Sequence, residues 1–328
     1  MLNATRTFGL LRLVAVSVVV LSGCTVQPPL PDDGYVNVVG GRVAFRVIGN
    51  ARKTQATPLL VIHGGPGGNT CASALTLADI AARRPVIVYD QLGSGYSERI
   101  NDLDTLARLP RFASEVTAIR NELGLDEIHL LGGSWGTAVA IEYLVTTEQT
   151  GVKSVTLVGP FVSAKQWLRD TDTLVARLSA TSQQAIREAI ANNDYSTPQF
   201  AAANDEFMRT FVTRNGVSQA LRSECARTPP GDSGLYEYMW GPSEFIANGT
   251  LKNLDLRDRL HELNLPVLFI IGEHDEARPD TVREYQRQIA GSQLAILPDA
   301  GHSSLTDRPE LFNRTLNDFL SKIDAGDK

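Results

Sequence analysis

Positive charge is scarce in this 328-residue chain: 31 Lys+Arg stand against 37 Asp+Glu, a formal net charge of −6. A protein that binds nucleic acid needs a basic face, so nucleic acid drops out as a partner. Cysteine is nearly absent, at three residues, which excludes a disulfide-dense scaffold. No apolar run reaches the ~20 residues that a membrane-spanning helix needs. The one membrane-related stretch, Leu13–Leu21, spans nine residues. Internal repeats and low-complexity tracts are missing too, which excludes a solenoid and wholesale disorder. What remains is ordinary globular composition, 43% hydrophobic and 21% charged, in a chain long enough for a substantial core.

Arg6 and Arg12 precede the apolar stretch, and Leu21-Ser22-Gly23-Cys24 closes it. A basic start, a short apolar middle and small residues before a cut point are the layout of a secretory signal. Leu-Ser-Gly-Cys also resembles the lipobox of bacterial lipoproteins. That resemblance implies a signal peptide at residues 1–23, lipidation of Cys24, and export to the bacterial cell envelope with a lipid anchor in a membrane. Residues 24–34, with Pro28, Pro29 and Pro31, read as a tether. Cys71 and Cys225 would then sit in an oxidising compartment, where they can pair; two buried free thiols are the standing alternative.

Short β-rich runs alternate with helical patterns along the rest of the chain. Val36–Val39 and Val43–Ile48 flank Gly40-Gly41, a hairpin signal. Leu59–Ile62, Val86–Tyr89, Ile128–Leu131, Val155–Val158, Val267–Ile271 and Leu294–Leu297 are continuous apolar runs, as strands buried on both faces should be. Helical periodicity covers Arg111–Leu123, Thr137–Val145, Thr281–Ile289 and Pro309–Ile323. The pattern predicts an α/β fold with a mostly parallel sheet opened by an antiparallel hairpin. Phe161–Leu265 holds no convincing central strand, while Gln183–Ala191 and Phe200–Val212 look helical. A structureless loop of that length is improbable, so an inserted helical cap is expected over the C-terminal sheet edge. The expected organisation is a core at residues 35–160 and 256–328, with the cap at 161–255.

The strongest chemical signal is Gly132-Gly133-Ser134-Trp135-Gly136, between a strand and a helical run. A serine on such a tight turn presents its hydroxyl beyond the sheet, and small residues two positions either side tolerate the strained backbone. The hydroxyl needs a base, and the base an orienting acid. His302, in Ala300-Gly301-His302-Ser303, follows the last strand and is the candidate base. His129 sits inside a strand, His261 on a polar helix and His274 beside the acid, where histidines are usually structural or solvated. Asp275 follows the seventh strand, with Glu273 and Glu276 as rivals for the role of acid. His63-Gly64-Gly65-Pro66-Gly67-Gly68 follows the third strand. No Gly-Lys-Ser/Thr comes after it, so it is not a phosphate loop. With Trp135 it is placed to supply two N–H donors for an oxyanion, Gly65 from the loop and Trp135 from the residue after the nucleophile. His63 reads as a loop brace. Asp90-Gln91-Leu92-Gly93-Ser94-Gly95-Tyr96-Ser97 lacks a dinucleotide fingerprint and reads as a turn shaping the pocket wall.

Together, His63-Gly-Gly-Pro-Gly, Asp90-Gln-x-Gly-x-Gly, Gly132-Gly-Ser-Trp-Gly and Gly272-Glu-x-Asp-Glu resemble the proline iminopeptidase family of α/β-hydrolases, over roughly Tyr35 to Leu320. The resemblance implies the α/β-hydrolase fold, a Ser134–Asp275–His302 triad, and Asp275 as the acid in preference to its neighbours. It also implies that Glu244, in Tyr238-Met-Trp-Gly-Pro-Ser-Glu-Phe245, and Glu276 bind the free α-amine of a peptide. Short peptides or amino-acid amides with a free N-terminus are the implied substrates, cleaved to release N-terminal residues such as proline, with no metal or organic cofactor required. An esterase, lactonase or amino-acid amidase could run on the same machinery. A non-catalytic scaffold is disfavoured, because it has no need of nucleophile, base and acid together.

Overall fold

The computed structural model describes residues 30–49, 56–147 and 149–326; the expected signal peptide, Cys24 and most of the tether lie outside them. Eight strands form one sheet: β1 (Asp33–Val38), β2 (Gly41–Ile48), β3 (Leu59–Ile62), β4 (Val86–Tyr89), β5 (Ile128–Gly133), β6 (Val152–Val158), β7 (Val267–Gly272) and β8 (Gln293–Leu297). Their spatial order is β1-β2-β4-β3-β5-β6-β7-β8. β2 pairs antiparallel with β1 and β4, and all other neighbours run parallel. Two expected boundaries shift. β1 already pairs Asp33 with Arg46, so Asp33 and Gly34 belong to the sheet and not to the tether. The hairpin turn is Val39-Gly40, one residue earlier than expected, because Val38 pairs with Gly41.

The pleat divides the core. Leu60, Ile62, Ile87 and Tyr89 meet Phe112, Val116 and Ile119 of the helix Leu109–Glu122 and Val139 of the helix Trp135–Thr146. Leu59, Val61, Val86 and Val88 turn the other way, onto Phe312, Leu316 and Leu320 of the helix Pro309–Asp324. Successive residues face opposite sides of a strand, so a four-residue apolar run fills both layers. Each such buried side chain contributes roughly 1.5–3 kcal/mol over its exposed form.

Between β6 and β7 come the helices Ala164–Val175, Ala180–Asn192, Pro198–Phe207, Gln219–Cys225 and Ser233–Met239. Ser163, Ser179, Thr197, Ser218 and Asp232 each accept a first-turn N–H, and these caps set where the helices start. The insertion has its own core of Leu174, Ile186, Phe200, Phe207, Phe211 and Phe245. Ser163 and Asp255 bridge its base. The helix expected through Val212 ends at Phe207 and continues as a π-turn, Met208–Val212. Its carbonyls are used elsewhere: Phe211 and Val212 accept the N–H groups of His302 and Ser303 at 2.8 and 2.7 Å. A disulfide joins Cys71, on a short helix of the core, to Cys225 in the insertion, which decides between the two states left open for these thiols.

The register aligns the sheet's exit edge. Ile62 pairs with Gly132, Gly133 with Val158, Val158 with Ile270 and Gly272 with Leu297. The loops that follow β3, β5, β6, β7 and β8 therefore emerge side by side, at the edge where parallel sheets bind ligands.

Candidate active site

Ser134 stands between β5 and the helix Trp135–Thr146 with φ +52° and ψ −122°, a strained conformation for a non-glycine residue. Close backbone approach explains the flanking glycines. A Cβ on Gly132 would lie 2.4 Å from the Gly136 carbonyl oxygen, and one on Gly136 would lie 2.4 Å from that of Ile62. The Trp135 N–H opens the helix, so it has no partner within it, and the helix dipole favours negative charge there.

Asp275, 1% exposed, follows β7, and His302 follows β8. His302 Nδ1 bonds Asp275 Oδ1 at 2.7 Å. Ser134 and His302 line one cavity, and no hydrogen bond joins them; such bonds are often loose before substrate arrives. The rival groups go elsewhere. Glu273 accepts the Asp299 N–H near the surface, and His274 lies 3.9 Å from Glu273. His129 bonds Ser154 and Asp324 at the far end of the sheet.

Glu276 is 0% exposed and accepts no hydrogen bond. Its nearest cation is His302, Nε2 to Oε1 at 3.8 Å. Burial, then the charge of Glu244, raises Glu276 well above the usual carboxylate range. Burial raises Glu244 as well, offset in part by His302 and the Tyr236 hydroxyl. For His302 burial works the other way, but Asp275, Glu276 and Glu244 outweigh it and raise its pKa to about 10. One imidazole thus faces three carboxylates, so the acidic groups of the cluster outnumber its single basic group.

The loop after β3 lies against the serine: a Cβ on Gly64 would be 3.1 Å from that of Ser134. Gly65 joins Ser134 and Trp135 in the wall of a narrow cavity that also includes Phe161, Trp167 and Trp240. Phe161 meets Trp167 and Trp240 edge-on, at 5.6 and 5.2 Å between ring centres. Tyr236 and Glu244 complete the wall, whereas Phe245 is packed in the insertion's own core. The Trp167 indole donates to the Glu244 carbonyl at 3.0 Å, and the Trp167 ring stands edge-on to His302 at 5.5 Å.

His63 is buried, and its Nε2 accepts the Gln91 N–H at 2.9 Å. Burial first of all depresses its pKa, which suits a neutral brace. The Asp90–Ser97 turn is not the pocket wall expected of it: none of its residues lines the cavities over Ser134. It packs beneath them.

Three contributors escaped the sequence reading. Gly159, just after β6, sits under the histidine: a Cβ there would lie 2.6 Å from His302 Nδ1, and its φ of +52° is glycine's. Asp307 accepts the N–H groups of Gly301, Arg214 and Asn215, tying the His302 loop to the insertion. The π-turn holds the same loop from above. Only the Gly159-Pro160 pair at a strand end offered a signal. Among the described residues no group of three or more His, Cys, Asp or Glu side chains is arranged to hold a metal ion.

A serine on a strand-to-helix turn, with an acid after β7 and a histidine after β8, defines an α/β-hydrolase, and that fold family matches residues 57–309. A proline iminopeptidase of Heyndrickxia coagulans is 38% identical over 293 residues, covering 89% of this chain and 99% of that one. Another, of Levilactobacillus brevis, is 32% identical over 281 residues, covering 85% and 93%. The crystal structure of a Mycobacterium smegmatis proline iminopeptidase superposes with a TM-score of 0.78 at 29% identity, over 90% of this chain and all of that one. The chain belongs to the α/β-hydrolases and, within them, to the proline iminopeptidase family.

Proposed function

We propose that this protein is a serine aminopeptidase that releases the N-terminal residue, proline above all, from short peptides or amino-acid amides. One observation carries the reading. Two carboxylates, the buried Glu276 without a hydrogen bond and the half-buried Glu244 beside it, stand next to the serine and histidine. Buried charges are costly unless paired, and the ammonium of an unblocked N-terminus is the partner this pair lacks. The amine lies one carbon from the scissile carbonyl, so anchoring it at Glu244 and Glu276 sets that carbonyl over Ser134.

Ser134 Oγ then attacks the carbonyl carbon while His302 takes the hydroxyl proton, with Asp275 holding the imidazole. The N–H groups of Gly65 and Trp135 stabilise the oxyanion. His302 returns the proton to the leaving amine, and water attacks the aminoacyl ester through the same base. The substrate's positive charge has a second effect. It offsets the carboxylates that hold His302 protonated and so lowers its pKa toward the range where it can act as a base. The rings of Phe161, Trp167 and Trp240 around that narrow cavity suit one compact apolar side chain. The names of the relatives point to proline as that residue.

A panel of unblocked aminoacyl amides tests the reading. The prolyl amide is expected to be turned over at least ~10-fold faster than the alanyl amide, a difference of about 1.4 kcal/mol. Ser134→Ala is expected to abolish both turnover and fluorophosphonate labelling. Equal labelling of parent and variant would contradict it.

For location, we propose export and lipid anchoring through Cys24. The leader composition supports this, as does the Cys71–Cys225 disulfide, which suits an oxidising compartment. Cys24→Ser is expected to move the protein out of the membrane fraction; unchanged partitioning would count against the anchor.

A further inference from the structure

Beneath the cavity, one side chain joins the two chain segments that carry the proposed oxyanion donors. Gln91 is 1% exposed. Its Oε1 accepts the indole N–H of Trp135 at 2.9 Å, and its Nε2 donates to the backbone carbonyl of His63 at 2.8 Å. Its own N–H donates to His63 Nε2 at 2.9 Å. His63 begins the loop that reaches Gly65 two residues later, and Trp135 is the first residue of the helix behind Ser134. A single amide group therefore spans from one donor segment to the other.

We propose that Gln91 is a positioning residue, a strut that fixes the spacing between the Gly65 and Trp135 N–H groups. The proposal rests on the serine-hydrolase reading above. An indole N–H can only donate and a carbonyl can only accept, so the spanning group must accept at one end and donate at the other. A primary amide does both. An ionised carboxylate of the same length would face the His63 carbonyl with like charge, and an alkyl or thioether chain would leave both partners buried and unpaired.

The foot of the strut is itself anchored. Leu92 N–H donates to Glu115 Oε1 at 3.0 Å, and Ser94 Oγ donates to the Gln91 carbonyl at 2.8 Å. At the other end, the Trp135 ring is held edge-on to Phe112, 5.6 Å between centres. Gln91 lines neither cavity over Ser134, so it acts on the oxyanion only through the backbones it holds. Its effect must appear where negative charge develops on the carbonyl oxygen, and not in ground-state binding of the amine.

Three variants test this: Gln91→Met, Trp135→Phe and the double change. Prolinal, whose aldehyde carbon is attacked by Ser134 to give a hemiacetal with its oxygen in the proposed hole, reports the tetrahedral state. Free proline, the product, reports ground-state binding. Gln91→Met is expected to lower kcat about 10–100-fold with KM within about 2-fold, since loss of a whole donor costs roughly 10²–10³. The inhibition constant of prolinal should rise in step, while that of proline stays within about 3-fold. Trp135→Phe, which keeps the ring and removes one N–H, should shift the same readouts in the same direction. The double variant should be no worse than Gln91→Met.

If Gln91→Met does not fold, Trp135→Phe alone decides by the same split between prolinal and proline. Equal shifts for both inhibitors, or kcat unchanged, would overturn the strut. A parent enzyme that takes no fluorophosphonate and binds prolinal no tighter than proline would overturn the hydrolase reading and the strut with it. A parent that does both, beside an unchanged variant, overturns the strut alone.

Discussion

Two glutamates, each 0% exposed, have opposite surroundings. Glu115, on the helix Leu109–Glu122, accepts from Leu92 N–H at 3.0 Å and from Arg111 Nη1 at 2.7 Å. Burial raises its pKa to about 7, with Arg111 pulling the other way. Glu276, a few residues past β7, accepts nothing and faces Glu244 and Asp275 as well as His302. Both are buried carboxylates. One has a partner built into the fold and braces a turn; the other lacks one and is suited to a cation that comes and goes. Burial alone does not tell a structural acid from a binding acid, whereas the partner does.

Asp275, next in sequence to Glu276, sharpens the contrast, because it is the acid bonded to His302. Asp275→Asn is expected to cut kcat by about 10⁴ with little change in KM, by leaving the imidazole in the wrong tautomer. Glu276→Gln is expected to act through KM instead, raising it about 100-fold for unblocked amides, since a hydrogen bond to a charged group contributes about 1.5–3 kcal/mol. A loss in kcat alone would place Glu276 with the triad and break the distinction.

Stability separates the two glutamates by sign. Glu115→Ala strands Arg111 and is expected to cost about 3–5 kcal/mol, seen as a Tm lower by several degrees. Glu276→Gln replaces a buried carboxyl that accepts no hydrogen bond and is disfavoured as an anion, and should leave Tm equal or about 1–2 °C higher. A matching fall in both would erase the comparison.

The pH profile gives a finer test. An anion beside an imidazolium stabilises the charged form and raises its pKa, so removing one lowers it. For an uncharged ester, the acid limb of kcat/KM is expected to move to lower pH in Glu276→Gln, while the plateau stays unchanged. A shift to higher pH would contradict the placement of Glu276 beside His302. Reduction gives a last test: opening Cys71–Cys225, 154 residues apart in sequence, releases the insertion from the core at one point, and a cost of about 2–5 kcal/mol, read as a fall in Tm, with a small rise in KM should follow.

Much of the fold was legible because local chemistry and global position agree. Runs such as Leu59–Ile62 and Val86–Tyr89 are apolar on both faces, which only a covered parallel strand explains. Ser134 could be read for a similar reason: glycines on both sides and a strand-to-helix change encode the turn locally. What stayed hidden depends on distant pairing. The strut at Gln91 exists only once Trp135 and His63 converge on it, 44 and 28 residues away. The break at Phe207 comes from bonds to His302 and Ser303, although the sequence there is helical in pattern. Gly159 is required by a histidine far downstream. Cys71 and Cys225 are 154 residues apart, and no local signal pairs them.

The central claim is that the Glu244 and Glu276 carboxylates beside His302 select a charged amino terminus. Its most direct test is to assay one aminoacyl amide with its amine free and the same amide N-acetylated, on the purified parent enzyme. The account predicts kcat/KM at least ~100-fold higher for the free amine, and a gap that narrows sharply in Glu276→Gln. Equal rates on the two amides would contradict it.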